Sequence, residues 1–238
     1  MIPLPLRRAD SMYKFCCGKN ICGGCYLENE RVASSSVSEL CPFCRSPPTE
    51  GFGTTVELMQ KRIDKGDAEA IYNVGTYHAN GQYGFEKNTE KAVTLFTRAA
   101  KLGHGRGCSR LAYAHMVGDL GVKKNVPKAR HYFELAVKAG DIEAHHNLAI
   151  MHMSNRAFTY EALYLLKVAA VSGYEPSIEL LEDFGDTGCI SKEELEDLRK
   201  AHKAADAETK SEDREFFLEY MKCIGQSFEE LALSHKMF

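Results

Sequence analysis

Residues 66–103 read GDAEAIYNVGTYHANGQYGFEKNTEKAVTLFTRAAKLG, and residues 103–140 read GHGRGCSRLAYAHMVGDLGVKKNVPKARHYFELAVKAG. Both segments open and close on glycine, and they match at a period of 37 residues. Val74 pairs with Leu111, His78 with His115, Gly81 with Gly118, Gly84 with Gly121, Lys91 with Lys128, Ala92 with Ala129, Phe96 with Phe133 and Ala99 with Ala136. A third copy, residues 140–173, lacks four residues of the central loop but keeps Leu148, His152, Ala162, Leu166, Ala169 and Ala170 in register. Each copy holds two helical stretches of about a dozen residues divided by a polar or glycine-rich turn. In the first, Ala70, Val74 and Tyr77 form one apolar stripe, and Ala92, Leu95, Phe96 and Ala99 form the other. Gly103, Gly140 and Gly173 fall just past the second helix, where a left-handed cap is wanted. One such hairpin cannot bury both stripes alone, so neighbours must stack. The expected body is mainly α, a right-handed α-solenoid of helix-turn-helix repeats over residues 66–173. Its faces bury one another and hold none of the clustered cysteines, so the chain from residue 52 onward is expected to fold independently of the segment before it.

This pattern resembles the Sel-one-like repeat, a relative of the tetratricopeptide repeat. Ala70, Val74, Gly75, Gly81, Lys91, Ala92, Ala99, Ala100 and Gly103 fit that family's positions. Its tyrosine is replaced by His78, His115 and His152, and its tryptophan by Leu95/Phe96 or Tyr132/Phe133. The resemblance implies a scaffold that holds protein partners and has no catalytic residues of its own. The three histidines, one per repeat, are expected to pack in place of the tyrosine; they stand too far apart to share an ion. His145 and His146 are adjacent on a helix, point different ways and also read as structural.

Residues 54–65 read as a connecting helix and 174–207 as closing helices. Pro176 is placed to start one of these, and Ser191 with Glu194 makes a capping box opening the next. Residues 183–194 mimic a calcium loop through Asp183, Gly188, Ile190 and Glu194. Gly185 and Thr187 stand where carboxylates are needed, which argues against calcium. Residues 208–238 form a charged tail with room for a short helix.

Six of the nine cysteines lie together: Cys16, Cys17, Cys22, Cys25, Cys41 and Cys44. Cys22-Gly-Gly-Cys25 and Cys41-Pro-Phe-Cys44 have the two-residue gap that lets two thiolates share one tetrahedral ion. No secretory leader and no run of about 20 apolar residues stands out, so a reduced intracellular setting, cytoplasmic or nuclear, is expected, without membrane insertion. In that setting the pairs read as zinc ligands rather than disulfides. Residues 1–50 carry six Lys/Arg against five Asp/Glu, a net +1, which gives no basic surface for nucleic acid.

The run FCCGKNICGGC followed by LCPFCR resembles a RING finger of the all-cysteine variety, filling residues 1–50. Under that family's cross-braced pairing, Cys16, Cys17, Cys41 and Cys44 would close one zinc site. Cys22 and Cys25 would belong to a second, whose other two ligands residues 1–15 do not supply. The chain therefore reads as starting inside the finger. Lys19 stands where the usual ligand histidine would be. The family's contacts to a ubiquitin-conjugating enzyme and to ubiquitin match Pro42, in the second contact loop, and Arg45, directly after the last cysteine. The resemblance implies a small N-terminal RING-like zinc finger acting in ubiquitin transfer, recruiting a conjugating enzyme while the repeats recruit the substrate. A non-enzymatic, zinc-stabilised protein-interaction adaptor is the alternative.

Overall fold

The computed structural model describes residues 11–22, 25, 40–46, 52–153, 159–183, 185 and 189–209. Much of the cysteine segment, the middle of the calcium-like loop and the tail from 210 onward lie outside these residues. The chain divides into two compact units at the Leu95–Phe96 step, the second running Phe96–Glu208. Mainly helical structure is found, and no helix among the described residues is long and apolar enough to cross a membrane.

In the first unit, β1 (Ser11–Lys14) and β2 (Lys19–Cys22) make an antiparallel hairpin, with Ser11 opposite Cys22 and Lys14 opposite Lys19. Its turn closes through the Gly18 N–H donating to the Lys14 carbonyl at 2.8 Å, with Gly18 at φ +72°. Phe15 and Ile21 are buried beneath it. Helix α1 (Phe52–Asp64) buries Thr55, Met59 and Ile63, one every fourth residue, and packs on α2 (Ala68–Asn80). Asp67 caps α2, its Oδ1 accepting from the Ala70 N–H at 3.2 Å. Gly81, at φ +69°, ends it by donating to the Tyr77 carbonyl. Helix α3 (Thr89–Lys101) starts at Asn88, whose Oδ1 accepts from the Lys91 N–H.

The second unit continues with α4 (Gly105–Val117), α5 (Val126–Lys138), α6 (Ile142–His152), α7 (Tyr160–Val171), α8 (Glu175–Asp183) and α9 (Lys192–Thr209). Helix α4 packs on α5, α5 on α6, α6 on α7 and α7 on α8, as stacked hairpins require. The repeat register is visible in burial: Ala129, Phe133 and Ala136 of α5, and Ala162, Leu166 and Ala169 of α7, are all fully buried. Of the two candidates at each family tryptophan position, Phe96 and Phe133 are the buried ones, and Leu95 and Tyr132 are half-buried. Gly103, Gly140 and Gly173 take φ of +80°, +80° and +83°. The next residue of each, His104, Asp141 and Tyr174, donates back to the carbonyl of Ala99, Ala136 and Ala169. Ile178, Leu181, Ile190, Leu195 and Leu198 extend the same core into α8 and α9.

Three local details refine the expectations. His78 packs edge-on against Phe85 with ring centroids 4.9 Å apart, and His115 stacks on Tyr132 at 5.8 Å. Half-buried, each turns Nδ1 toward a loop carbonyl eight residues on, Glu86 at 3.3 Å and Lys123 at 3.4 Å. Their own carbonyls accept from Asn88 and Asn125, so each histidine pins its repeat's loop at two points. The capping box forms by half. Ser191 Oγ accepts from the Glu194 N–H, but the Glu194 carboxylate pairs with Lys167 at 2.5 Å instead of turning back. Finally, the connecting helix α1 touches the cysteine hairpin. Arg62 at the end of α1 donates to the carbonyls of Phe15 (2.9 Å) and Cys16 (2.7 Å).

Candidate metal centre

Cys16 and Cys17 stand in the β1–β2 turn, where the chain reverses and both side chains leave the hairpin at the same end. Cys41 and Cys44 flank a second tight turn through Pro42 and Phe43. The Arg45 N–H donates to the Cys41 carbonyl at 2.9 Å, and the Cys41 N–H to the Ser46 carbonyl at 2.8 Å. These two turns bring the four Sγ atoms within 4.8 Å of one another. Cys17 and Cys41 sulfurs lie 3.8 Å apart, and none of the four is in a disulfide. A tetrahedral zinc with Zn–S bonds of about 2.3 Å spaces its sulfurs about 3.8 Å apart. The cluster therefore has the donor type and close to the spacing that such an ion needs.

Its electrostatics follow from crowding four ionisable thiols. Burial pushes the Cys16 thiol up, and the Cys41 and Cys44 sulfurs beside it push the same way. Burial and then the Cys41 charge raise Cys17 as well. At Cys44 burial also raises, but the hydroxyl and N–H of Ser46, with the Cys16 and Cys41 thiols, outweigh it and bring this exposed group down to about 6. Full ionisation of such a set calls for a cation to offset the charge.

The remaining sequence-picked residues are placed differently. Cys25 is exposed and outside the four-thiol cluster, and Cys22 is placed only by its backbone, opposite Ser11. Pro42 is half-buried in the second turn. Arg45 is exposed and held at φ +58°, directly after the last cysteine. Lys19, at the histidine position of the RING pattern, sets its ammonium 5.5 Å from the Phe43 ring centroid. Sequence reasoning missed Ser46, Arg62, Asp67 and Tyr13. Asp67 Oδ2 accepts from the Tyr13 hydroxyl, which burial and that carboxylate hold well above its usual range. Of these, only Asp67 carried a local signal, as a helix cap before Ala68.

The Sel1 repeat family matches residues 68–104 and 105–141, each match beginning within a residue of the start of α2 or α4. No RING or other zinc-finger family matches the cysteine segment. Among solved structures, the chain is similar to a Sel1 repeat protein from Oxalobacter formigenes at 24% identity and a TM-score of 0.55, covering 64% of each chain. It is also similar to c5321, a protective antigen of uropathogenic Escherichia coli with an SLR fold, at 23% identity and a TM-score of 0.53. That match covers 75% of this chain and 37% of the other. The chain thus spans less than two thirds of either relative's length, and at these identities the likeness shows the fold. No curated protein matches. The chain contains Sel1 repeats, and the helical scaffold they build is suited to protein–protein interaction.

Proposed function

We propose that this chain is a zinc-stabilised helical-repeat scaffold acting in ubiquitin transfer. In this reading residues 1–50 are the RING-like finger, 54–65 its connecting helix, 66–173 the repeats, 174–207 the closing helices and 208–238 a charged tail. The observation that carries it is the convergence of Cys16, Cys17, Cys41 and Cys44 within 4.8 Å, drawn from two turns more than twenty residues apart. These residues would hold one zinc ion, whose chemistry is a structural cross-link between the turns. Cys22 and Cys25 belong to a second site in the same reading. The setting is intracellular, cytoplasmic or nuclear, where thiols stay reduced.

A finger of this kind forms no covalent intermediate. It orients a charged conjugating enzyme so that a substrate amine attacks the thioester, which lowers the barrier by positioning alone. Pro42 shapes the contact turn, and the exposed guanidinium of Arg45 is free to bridge two partners through its planar fork of donors. The repeats supply the substrate surface. A zinc-stabilised adaptor without transfer activity is favoured by a separate observation: the ligand-bearing hairpin is tied down by Arg62 and Asp67, as a structural element would be.

Metal analysis of the purified chain tests the site, and discharge of a ubiquitin-charged conjugating enzyme onto lysine tests the activity. The four-thiol site predicts about one tightly held zinc, lost in Cys41→Ser. Discharge that falls several-fold in Arg45→Ala, with zinc content unchanged, supports the transfer reading. The discharge assay needs a chain in which the second site's two further cysteines are supplied. Full zinc with no discharge there leaves the adaptor, and zinc retained in Cys41→Ser removes the site itself.

A further inference from the structure

The hairpin turn that presents Cys16 and Cys17 is held from outside the cysteine segment. Its Phe15 and Cys16 carbonyls each receive one arm of Arg62: Nε to Phe15 at 2.9 Å, Nη2 to Cys16 at 2.7 Å. One planar guanidinium thereby fixes two successive peptide units, one of them belonging to a thiol-bearing residue. Asp67 adds a second tie. Its Oδ2 accepts from Tyr13 in β1 while its Oδ1 caps α2 through the Ala70 N–H. The two side chains close over the turn so tightly that a Cβ on Gly18 would stand 2.9 Å from both Arg62 Nη1 and Asp67 Oδ2. A solvated arginine at a helix C-terminus explains neither of the two Arg62 bonds.

We infer that Arg62 is a positioning residue for the four-thiol site and that it links metal binding to the stability of the first helices, α1 and α2. The inference rests on the four-thiol reading above and adds to it a residue, and a regulation, that lie in the helical part of the chain. The physical route is short. An ion across Cys16, Cys17, Cys41 and Cys44 favours the one turn conformation in which the Phe15 and Cys16 carbonyls meet Arg62. That same conformation brings Tyr13 to the carboxylate capping α2. Linkage is reciprocal, so the factor by which Arg62 strengthens metal binding is the factor by which metal strengthens the docking of the hairpin on α1. Residues that orient metal ligands typically change affinity about 10- to 100-fold when removed. The first repeat would accordingly lose stability when the metal is withdrawn, against the expectation that the repeats fold alone.

The test uses the full chain. Zinc affinity is measured by competition with a chromophoric chelator, and helix melting by circular dichroism with zinc or with excess chelator. Wild type should bind zinc and melt at lower temperature in chelator. Arg62→Met should weaken zinc about 10- to 100-fold and shrink the chelator-induced shift. Arg62→Lys, which keeps the charge without the two-armed fork, should fall between them. Tyr13→Phe, which removes one hydroxyl and keeps the ring, should lower affinity less but in the same direction. Arg199→Met, which removes an ion pair with Glu182 in the second unit, should leave zinc affinity unchanged. A wild-type chain that binds no zinc overturns the site reading and this inference together. Tight zinc in wild type with equal affinity in Arg62→Met, or a wild-type melt indifferent to chelator, overturns the linkage and leaves the site standing.

Discussion

Replacing Phe133 with alanine tests whether the stacked hairpins owe their stability to the repeat-register aromatic. Phe133 is fully buried in α5, in a core shared with Cys108, Ala112, Ala144, Leu148 and Leu166. Burying such a side chain is worth about 1.5–3 kcal/mol of transfer free energy. The backbones around it are held close by Ala129 and Ala136, both without exposure, so the hole left by the ring cannot collapse. Transfer and cavity together put Phe133→Ala at about 3–5 kcal/mol. Set against a domain stability of about 5–15 kcal/mol, that removes about a fifth or more. Leu166 occupies the same register in α7 and is equally buried, so leucine is compatible with this position. Phe133→Leu should therefore cost only about 1 kcal/mol. Urea unfolding followed by circular dichroism gives both values from the midpoint, provided the slope is unchanged. A cost for Phe133→Ala below about 1 kcal/mol, or equal costs for the two variants, would refute the register argument.

Gly103→Ala should cost about 1 kcal/mol even though a Cβ there meets nothing within 4 Å, because φ is +80°. Gly103→Asn should cost less, and equal melting of wild type and Gly103→Ala would count against a left-handed cap. His146, whose Nδ1 lies 2.9 Å from Ser177 Oγ, is pushed by burial below its ordinary 6.5. The unfolded chain then takes up this proton more readily than the folded one, so stability is full above about pH 6.5 and falls as the pH drops beneath it. His146→Asn should flatten that slope between pH 7.5 and 5 in urea midpoints, and an unaltered slope would assign the pH dependence to other groups.

What could be read from the chain was whatever repeats or clusters locally. The glycine period located three helix ends because the cap geometry needs a positive φ at one residue per repeat. Alanine and phenylalanine at matching positions marked the buried face because a stacked hairpin reuses the same contact in every copy. Choosing between Leu95 and Phe96 was beyond the pattern. Neighbouring residues differ by about 100° around a helix, and either fits an apolar stripe of ordinary width. The histidines show the reverse problem: their register was plain, but their hydrogen bonds run to carbonyls in a loop whose path no side-chain pattern encodes.

The four-thiol cluster was legible only through the resemblance to a RING finger, whose cross-braced pairing groups Cys16 and Cys17 with Cys41 and Cys44. Spacing alone singled out the pairs Cys22/Cys25 and Cys41/Cys44. The cluster's supporting contacts were not legible. Arg62 reaches back 46 and 47 residues, and Tyr13 meets a carboxylate 54 residues on. Such bonds leave no periodic trace, and in sequence Arg62 is one of several basic residues near the end of an amphipathic helix. Only Gly18 hinted at them, because the same glycine that allows φ +72° in the turn also leaves the space that Arg62 and Asp67 fill. A glycine beside a metal-type cysteine pair thus has two readings, a turn or a docking surface. Here the geometry requires both, which is why the cysteine hairpin and the first repeat are expected to answer to the same perturbations.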